Sequence, residues 1–469
     1  MDFKKIEENR QKNIEFSPSL LDEKERDSIV RNYHPDFNDD GFGVFSYGAN
    51  KGERAPKELL ERLKEENIFE AQEPEYNCDV LVIGGGGAGA AAALEAQEQG
   101  ASVIIVTKSG FGVSNTIMAE GGMQSAIGDD DSVDLHFSDS FKSGGRLADK
   151  KLLETLTGNG KDALLWLIKL GVCFDRDNEG KIKRVSAGGT TKDRIVSSKD
   201  FTGLEIMRTL RDEVLNRGIH VLEYTKAVKL AKDNEDSVCG AVICDLEKDR
   251  HFYIQANSVV IATGGAGGMH YQGFESTNYA GATADGVILA YNAGAHLVNI
   301  DSLQYHPTGA CYPDSIKGRL ITEKARSLGA KLVNSDGEVF INPLEDRRTV
   351  TASILKECKS KDVYLDTPMI DILKGDGTIV RELPQVFRMY INMGIDIRKT
   401  PILVYPTLHY QNGGVEIDEN ARVKGFKNLF AAGEVTGGIH GNNRLMGNAL
   451  LEIIVFGRIA GRNAYEKGE

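Results

Sequence analysis

The sequence predicts an α/β fold, and three features predict it. Residues 78–83 (Cys-Asp-Val-Leu-Val-Ile) form an apolar strand that runs into Gly84-Gly-Gly-Gly-Ala-Gly89 and an alanine-rich helix to Gln99. A second strand follows over 103–106, completing a β-α-β start. Later apolar strands over 258–262 and 428–434 also run into glycine turns, at Gly264 and Gly433, with helical segments between and after them.

The first 76 residues read differently from the rest. They hold 19 acidic and 12 basic residues, so −7 of the net −13 sits there. Helical spacing predicts helices over 19–33 and 56–68, the second with Leu59, Leu60 and Leu63 on one face. Between them lies a Gly/Asn/Asp-rich turn region. This stretch is expected to be a helical extension, either a partner-docking arm or a capping layer. Beyond the β-α-β start, helices are expected over 151–170, 204–216 and 449–465.

Bulk properties exclude several classes. A chain of 469 residues, 41% hydrophobic and 27% charged, is long enough for two or three soluble domains. The acidic balance excludes a nucleic-acid surface. The longest apolar stretch, 80–96, is Gly/Ala-rich and belongs to the β-α-β start, so no direct membrane insertion is expected. The N-terminus is charged from its first residues and lacks the apolar core of a signal peptide. Six cysteines show no CxxC, CxxCH or ferredoxin-like spacing, which predicts reduced thiols, a cytoplasmic location (free or peripheral to a membrane through partners), and no metal, iron–sulfur or haem site.

Gly84, Gly86 and Gly89 lie directly after a strand and before a helix, the context in which GxGxxG binds a dinucleotide. Glycines let a pyrophosphate approach the backbone, and the helix N-terminus offers it unpaired N–H groups. The second strand ends in Thr107-Lys108, not in the acidic residue that reads the ribose of NAD. Thr263-Gly264 and Gly433-Glu434 have no place in a simple NAD domain, and three glycine-ended strands suit a longer dinucleotide such as FAD.

From about residue 77 onward the chain resembles the flavoprotein subunits of the succinate dehydrogenase/fumarate reductase family. The matching segments include Ser114-Asn-Thr, Ala119-Glu-Gly-Gly122, Gly171-Val-Cys-Phe174, Ala284-Asp-Gly286, Gln304-Tyr-His-Pro-Thr-Gly309, Leu320-Ile-Thr-Glu-Lys-Ala-Arg326, Pro406-Thr-Leu-His-Tyr410 and His440-Gly-Asn-Asn-Arg-Leu445. The resemblance implies a Rossmann-like FAD-binding domain over 77–302 and 404–469, interrupted by an α+β capping domain over 303–403. It places FAD contacts at Gly84, Gly86, Ala88, Gly89, Thr107, Lys108, Asn115, Thr116, Gly121, Gly122, Ala227, Thr263, Gly264, Asp285, Glu434, Ala449 and Leu450. It implies that a dicarboxylate is held by His306, Thr322, His409 and Arg444, with Phe174 beside it. It further implies Arg347 as the proton donor in hydride transfer from FAD N5, fed by Glu323 and Arg326. Arg348 is a rival, standing where the family usually has Asp; Arg347 is preferred because Val350 and Ile354 then fall in register.

Two departures matter. Asn115 replaces the histidine of an S-H-T triplet that carries covalent FAD, so the cofactor is expected to be noncovalent. Ala187 stands where the related L-aspartate oxidase has the Glu that holds an ammonium, which disfavours aspartate. Because the chain ends at Glu469, after the expected FAD domain, the resemblance implies that electrons come from an iron–sulfur or flavin partner protein, expected to dock through residues 1–76. Fumarate reduction (or succinate oxidation) is thus the expected reaction. The alternatives are another enoate reductase, acrylate/cinnamate-like or acyl-CoA-linked, an L-aspartate oxidase, and a non-catalytic flavin carrier.

Overall fold

The computed structural model describes residues 3–63 and 73–465. Its central sheet is parallel where the β-α-β start predicts it. The strand Pro74–Ile83 lies between Val103–Val106 and Arg250–Ile261, parallel to both. His220–Leu222 extends one edge and Leu429–Ala431 pairs parallel with the end of Arg250–Ile261. The strands Val238–Asp245 and Thr225–Lys232 add an antiparallel flank. Val80 to Ile83 are all buried, as are Ala90 to Leu94 of the helix Gly87–Glu98, as a doubly covered parallel strand and its packed helix require. The long helix Asn448–Tyr465 packs against that alanine face: Gly461 lies so close to Ala92 that a Cβ would sit 2.1 Å from its carbonyl oxygen.

A second core lies over an antiparallel sheet in which Leu303–Ala310 pairs with Ile402–Gln411, then Val363–Asp366, then Lys331–Asn334. Helices Arg347–Glu357, Pro368–Lys374, Thr378–Glu382 and Pro384–Ile391 enclose it with Val350, Ile354, Ile370 and Val386. Residues of this unit, the cap, and of the C-terminal ends of the parallel strands, the usual ligand side of such a sheet, line one cavity.

Several elements differ from the sequence expectation. The helix expected over 19–33 begins at Glu23, because Asp22 caps it and Glu25 reaches back to form a capping box. The helix expected over 56–68 is Lys57–Arg62 in the described residues, and 64–68 lie outside them. The expected helix over 151–170 is two helices, Lys150–Gly158 and Gly160–Leu170, broken at Gly158-Asn159-Gly160, where two glycines remove the helix preference. A helix Lys4–Glu15 was not legible: its sequence is polar around nearly its whole circumference, and it is held by cap residues distant in sequence. Lys5 pairs with Asp336 (2.6 Å) and Arg10 with the buried Asp366 (3.0 Å). Residues 3–63 therefore lie as a layer on the chain itself, the helices Lys4–Glu15 and Glu23–Tyr33 on the cap and residues 50–62 on the half built around the parallel sheet.

Candidate active site

One continuous cavity runs beneath the cap from the Gly84–Gly89 loop. Gly84 has φ 122°, and a Cβ there would sit 2.2 Å from the Ala262 carbonyl oxygen. A side chain at Gly89 would collide with the Gly84 carbonyl, so Gly89 packs helix on strand and stays off the cavity wall. Only glycine allows this close a crossing. The helix Gly87–Glu98 starts at Gly86, which brings no side-chain cap; Gly87 N–H donates to Thr116 Oγ1 (3.1 Å) at the cavity wall. The wall continues through Ala88, Thr107, Lys108, Asn115, Thr116, Gly121, Gly122, Ala227, Thr263, Gly264 and Asp285 to Glu434, Ala449 and Leu450. A side-chain-free, N–H-rich turn and a long wall fit the pyrophosphate and extended body of FAD.

Charge along this wall is ordered. The Asp285 carboxylate takes Lys108, Lys226 (3.3 Å) and Arg62 (3.4 Å). Burial pushes its pKa up, but those three cations outweigh it and hold the group below the usual range. Lys108 and Asp285 thus form a fixed ion pair where the second parallel strand ends. Deeper in, Asn115 donates to Asn278 Oδ1 (2.6 Å) and Glu434 Oε2 (3.2 Å), and accepts from Tyr279 N–H (2.7 Å). Glu434 is pushed up to about 7, by burial first. A carboxamide has no nucleophilic ring nitrogen, so flavin is expected to leave this protein intact: acid precipitation should put all of it in the supernatant. Flavin retained in the washed pellet would contradict that.

Under the cap the cavity changes character. His306 lies on Leu303–Ala310 and His409 on the neighbouring strand Ile402–Gln411, which brings their rings to 5.1 Å between centroids. Thr322 and Glu323 precede the short helix Lys324–Ser327, and Arg347 opens the helix Arg347–Glu357, which Asp346 caps. Arg444 comes from the loop before the last helix. All six line the cavity.

The geometry ties them into two groups. Thr308 N–H donates to His306 Nδ1 (3.3 Å), so a neutral His306 ring carries its proton on Nε2. Thr308 Oγ1 also donates to the Ile321 carbonyl (2.8 Å), fixing the Thr322 segment beside His306. His409 Nδ1 lies 2.7 Å from Thr277 Oγ1. Both imidazoles are held well below their ordinary pKa, first by burial and then by the neighbouring Arg347. They are neutral N–H donors at pH 7.

Arg347 Nε donates to Glu323 Oε2 (2.9 Å), while Arg326 Nη2 lies 3.2 Å from the same oxygen and Gly188 N–H donates to Oε1 (3.2 Å). Arg326 is behind Glu323, off the cavity wall, and also donates to the Pro343 carbonyl. Burial would raise the Glu323 pKa; Arg347 and Arg326 outweigh it and keep the carboxylate ionised. Arg444, 4% exposed, has no carboxylate hydrogen-bond partner among the described residues. It donates to Gln304 Oε1 (3.0 Å) and lies over the Tyr410 ring at 4.2 Å, and its Nε has no acceptor. Burial, then Arg347, brings its pKa down to about 10.

Phe174 stands apart. Gly171, at φ 105°, ends the helix Gly160–Leu170, and the chain then turns Val172 and Phe174 into the main core. Phe174 is buried there and does not line the cavity, which corrects its expected place beside the substrate. Ala187 is also buried, against Ile195 and Met446, and brings no carboxylate to the site.

The sequence reading missed Gln304 as a working residue, although its motif was in view. Its Oε1 accepts from both Arg347 Nη1 (2.9 Å) and Arg444 Nη2 (3.0 Å), and its Nε2 is pinned by Asn443 and the Arg444 carbonyl. Neutral glutamine can bridge two guanidiniums without cancelling their charge.

These features have counterparts in known proteins. A model of the FAD binding domain matches residues 79–450. One subunit of the fumarate reductase (CoM/CoB) of Methanothermobacter marburgensis is 38% identical over 409 residues, covering 83% of this chain and 72% of that one. The chain belongs to the fumarate reductase/succinate dehydrogenase flavoprotein family. It is an FAD-dependent oxidoreductase of that family. An L-aspartate oxidase from Clostridium acetobutylicum is 33% identical over 392 residues, 82% of this chain and 87% of that one. Among solved structures, a variant of E. coli quinol fumarate reductase superposes with a TM-score of 0.77 at 29% identity, over 84% of this chain and 71% of that one. The family match begins at residue 79, so the layer formed by residues 3–63 lies outside it.

Proposed function

We propose that this chain reduces fumarate to succinate, or a close dicarboxylate in the same way, with electrons supplied by a partner redox protein carrying iron–sulfur clusters or flavin. The observation that carries this reading is the buried Arg444. A guanidinium removed from water without a carboxylate is costly, and an anionic ligand would restore its missing partner. A second donor pair, His306 and Thr322, lines the same cavity, so donors for a second carboxylate are present beside those of His409 and Arg444.

FAD, when bound, supplies the hydride chemistry. His409 and Arg444 hold one carboxylate; His306 and Thr322 hold the other and accept the charge that develops as the double bond is reduced. Arg347 delivers a proton to the neighbouring carbon. Free arginine is a poor acid; once Arg347 has given up its proton, the Glu323 carboxylate between it and Arg326 takes a proton from the Arg326 side and passes it on to Arg347. The cap contributes Thr322, Glu323 and Arg347 to a site whose Arg444 lies outside it, so cap and FAD-binding half exclude water together.

The pH dependence follows from these groups. Glu323 has a folded pKa below its ordinary 4.5, so its ion pairs stabilise the site above that value and are lost as pH falls through the lower folded one. Arg444 keeps its proton until pH nears 10. Glu323 and Arg444 set an acid limb below 4.5 and an alkaline limb approaching 10 in the expected kcat/KM profile for fumarate, and any limb near 7 belongs to the Glu434 carboxyl on the flavin wall. A limb near the histidine range that persists in E434Q would contradict the neutral imidazoles.

A substrate panel tests the function itself. With reduced viologen as donor, fumarate should turn over, while cinnamate, acrylate and acyl-CoA enoates should not, and L-aspartate should not be oxidised. Aspartate oxidation would favour the second relative despite Ala187. NADH-driven fumarate reduction by the purified chain alone would contradict the partner protein.

A further inference from the structure

We infer that residues 18–37 position Arg347, with Arg26 and Asp36 as the positioning residues; this rests on Arg347 being the proton donor.

The turn 342–348 carries Arg347 into the cavity, and it is gripped from two sides. Arg347 meets Glu323 at the cavity (2.9 Å), and behind Glu323 Arg326 donates to the Pro343 carbonyl. On the opposite side the ties come from the N-terminal layer. Asn342 Nδ2 donates to the Pro18 carbonyl (2.8 Å). The Glu345 carboxylate accepts from Leu21 N–H (2.5 Å) and from Arg26 Nε (2.8 Å), one oxygen each. Arg348 Nη2 lies 3.8 Å from Asp36 Oδ2, and its guanidinium stands over the Phe37 ring at 5.7 Å.

Burial shows that this contact is built in. The Glu345 side chain is 1% exposed and that of Asp36 8%. A buried carboxylate needs partners, and the hydrogen bonds to Glu345 come from residues 21 and 26, outside the family match that begins at residue 79. Arg348 departs from the Asp that the family resemblance places there, and the residue it reaches, Asp36, is again in the N-terminal layer. Successive helix residues point about 100° apart, so Arg347 turns to Glu323 while Arg348 turns to Asp36. The helix Glu23–Tyr33 packs along the helix Arg347–Glu357.

The layer continues past the cap. Asn50 exchanges two hydrogen bonds with Leu297 (2.7 and 2.9 Å), and Arg54 reaches Asp301 (3.4 Å). Residues 18–54 thus span from the Arg347 turn to the FAD-binding half, a strap across the two parts of the chain that build the site.

The test uses the full-length, FAD-loaded protein with R26A and R26K. In R26A, kcat for fumarate with reduced viologen should fall about tenfold, since misplacement of order 1 Å costs up to about 10²-fold. KM for fumarate and the rate of FAD reduction by viologen should stay within about twofold, since Arg347 alone is displaced. Amide hydrogen exchange over 342–351 should become faster, and R26K should restore both kcat and protection. If R26A does not accumulate, E345Q carries the same expectations. Unchanged exchange over 342–351, or faster exchange with unchanged kcat, overturns the proposal. So does a parallel fall of kcat, FAD reduction and Tm that R26K does not restore. If the parent protein does not reduce fumarate, the functional reading fails, and the exchange data alone decide whether Arg26 holds the turn.

Discussion

Replacing Arg347 with alanine should lower fumarate turnover by about 10²–10⁴-fold, the range for loss of a positioned proton donor. Reduction of bound FAD by reduced viologen should be unaffected, because Arg347 is held by Glu323 and Gln304 and none of the Gly84–Gly89 loop contacts depend on it. The two half-reactions separate catalysis from electron carriage. A non-catalytic flavin carrier would lose neither, and a misfolded variant would lose both. R348A is the control for register: it breaks the Asp36 contact and should cost far less than R347A. If R348A were the inactive variant, the proton donor would be misassigned.

Arg444 should show a different signature. R444M should reduce kcat/KM for fumarate by roughly 30- to 5,000-fold, corresponding to about 2–5 kcal/mol for truncating one partner of a buried charge pair. Its effect on the ligand-free protein should be the opposite of most core substitutions. Arg444 is buried with an unsatisfied Nε and no carboxylate hydrogen-bond partner among the described residues, so an apolar replacement of similar shape should leave Tm unchanged or raise it. Succinate should raise the Tm of the parent protein by mass action and that of R444M hardly at all. A large loss of Tm in ligand-free R444M would show that Arg444 is held for stability and not for an anion.

How much of this was legible depends on the range of the signal. The Gly84–Gly89 loop is a local matter: strand, turn and helix follow one another along a short stretch of chain, and their glycines report their own backbone demands. Val350 and Ile354, both fully buried, fix the helical register that turns Arg347 inward. His306 and His409 are distant in sequence and meet only because their strands pair antiparallel, which periodicity does not reveal; the family resemblance supplied it. Phe174 shows the limit of such transfer: its motif matches, yet the chain turns it into the core. Gln304 was overlooked because a glutamine has no charge to attract attention, although it bridges two arginines. The helix Lys4–Glu15 was missed for the same physical reason as the strap: its stability comes from Asp336 and Asp366, at the far end of the chain.

The most direct measurement is a single turnover of the purified FAD-loaded chain. The enzyme is reduced anaerobically to its two-electron level, freed of excess donor, and mixed with fumarate. Oxidised flavin absorbance should return and one succinate should form per FAD, with R347A showing neither on the same timescale. Flavin that stays reduced in fumarate, or that reoxidises without succinate, would contradict dicarboxylate reduction at this site.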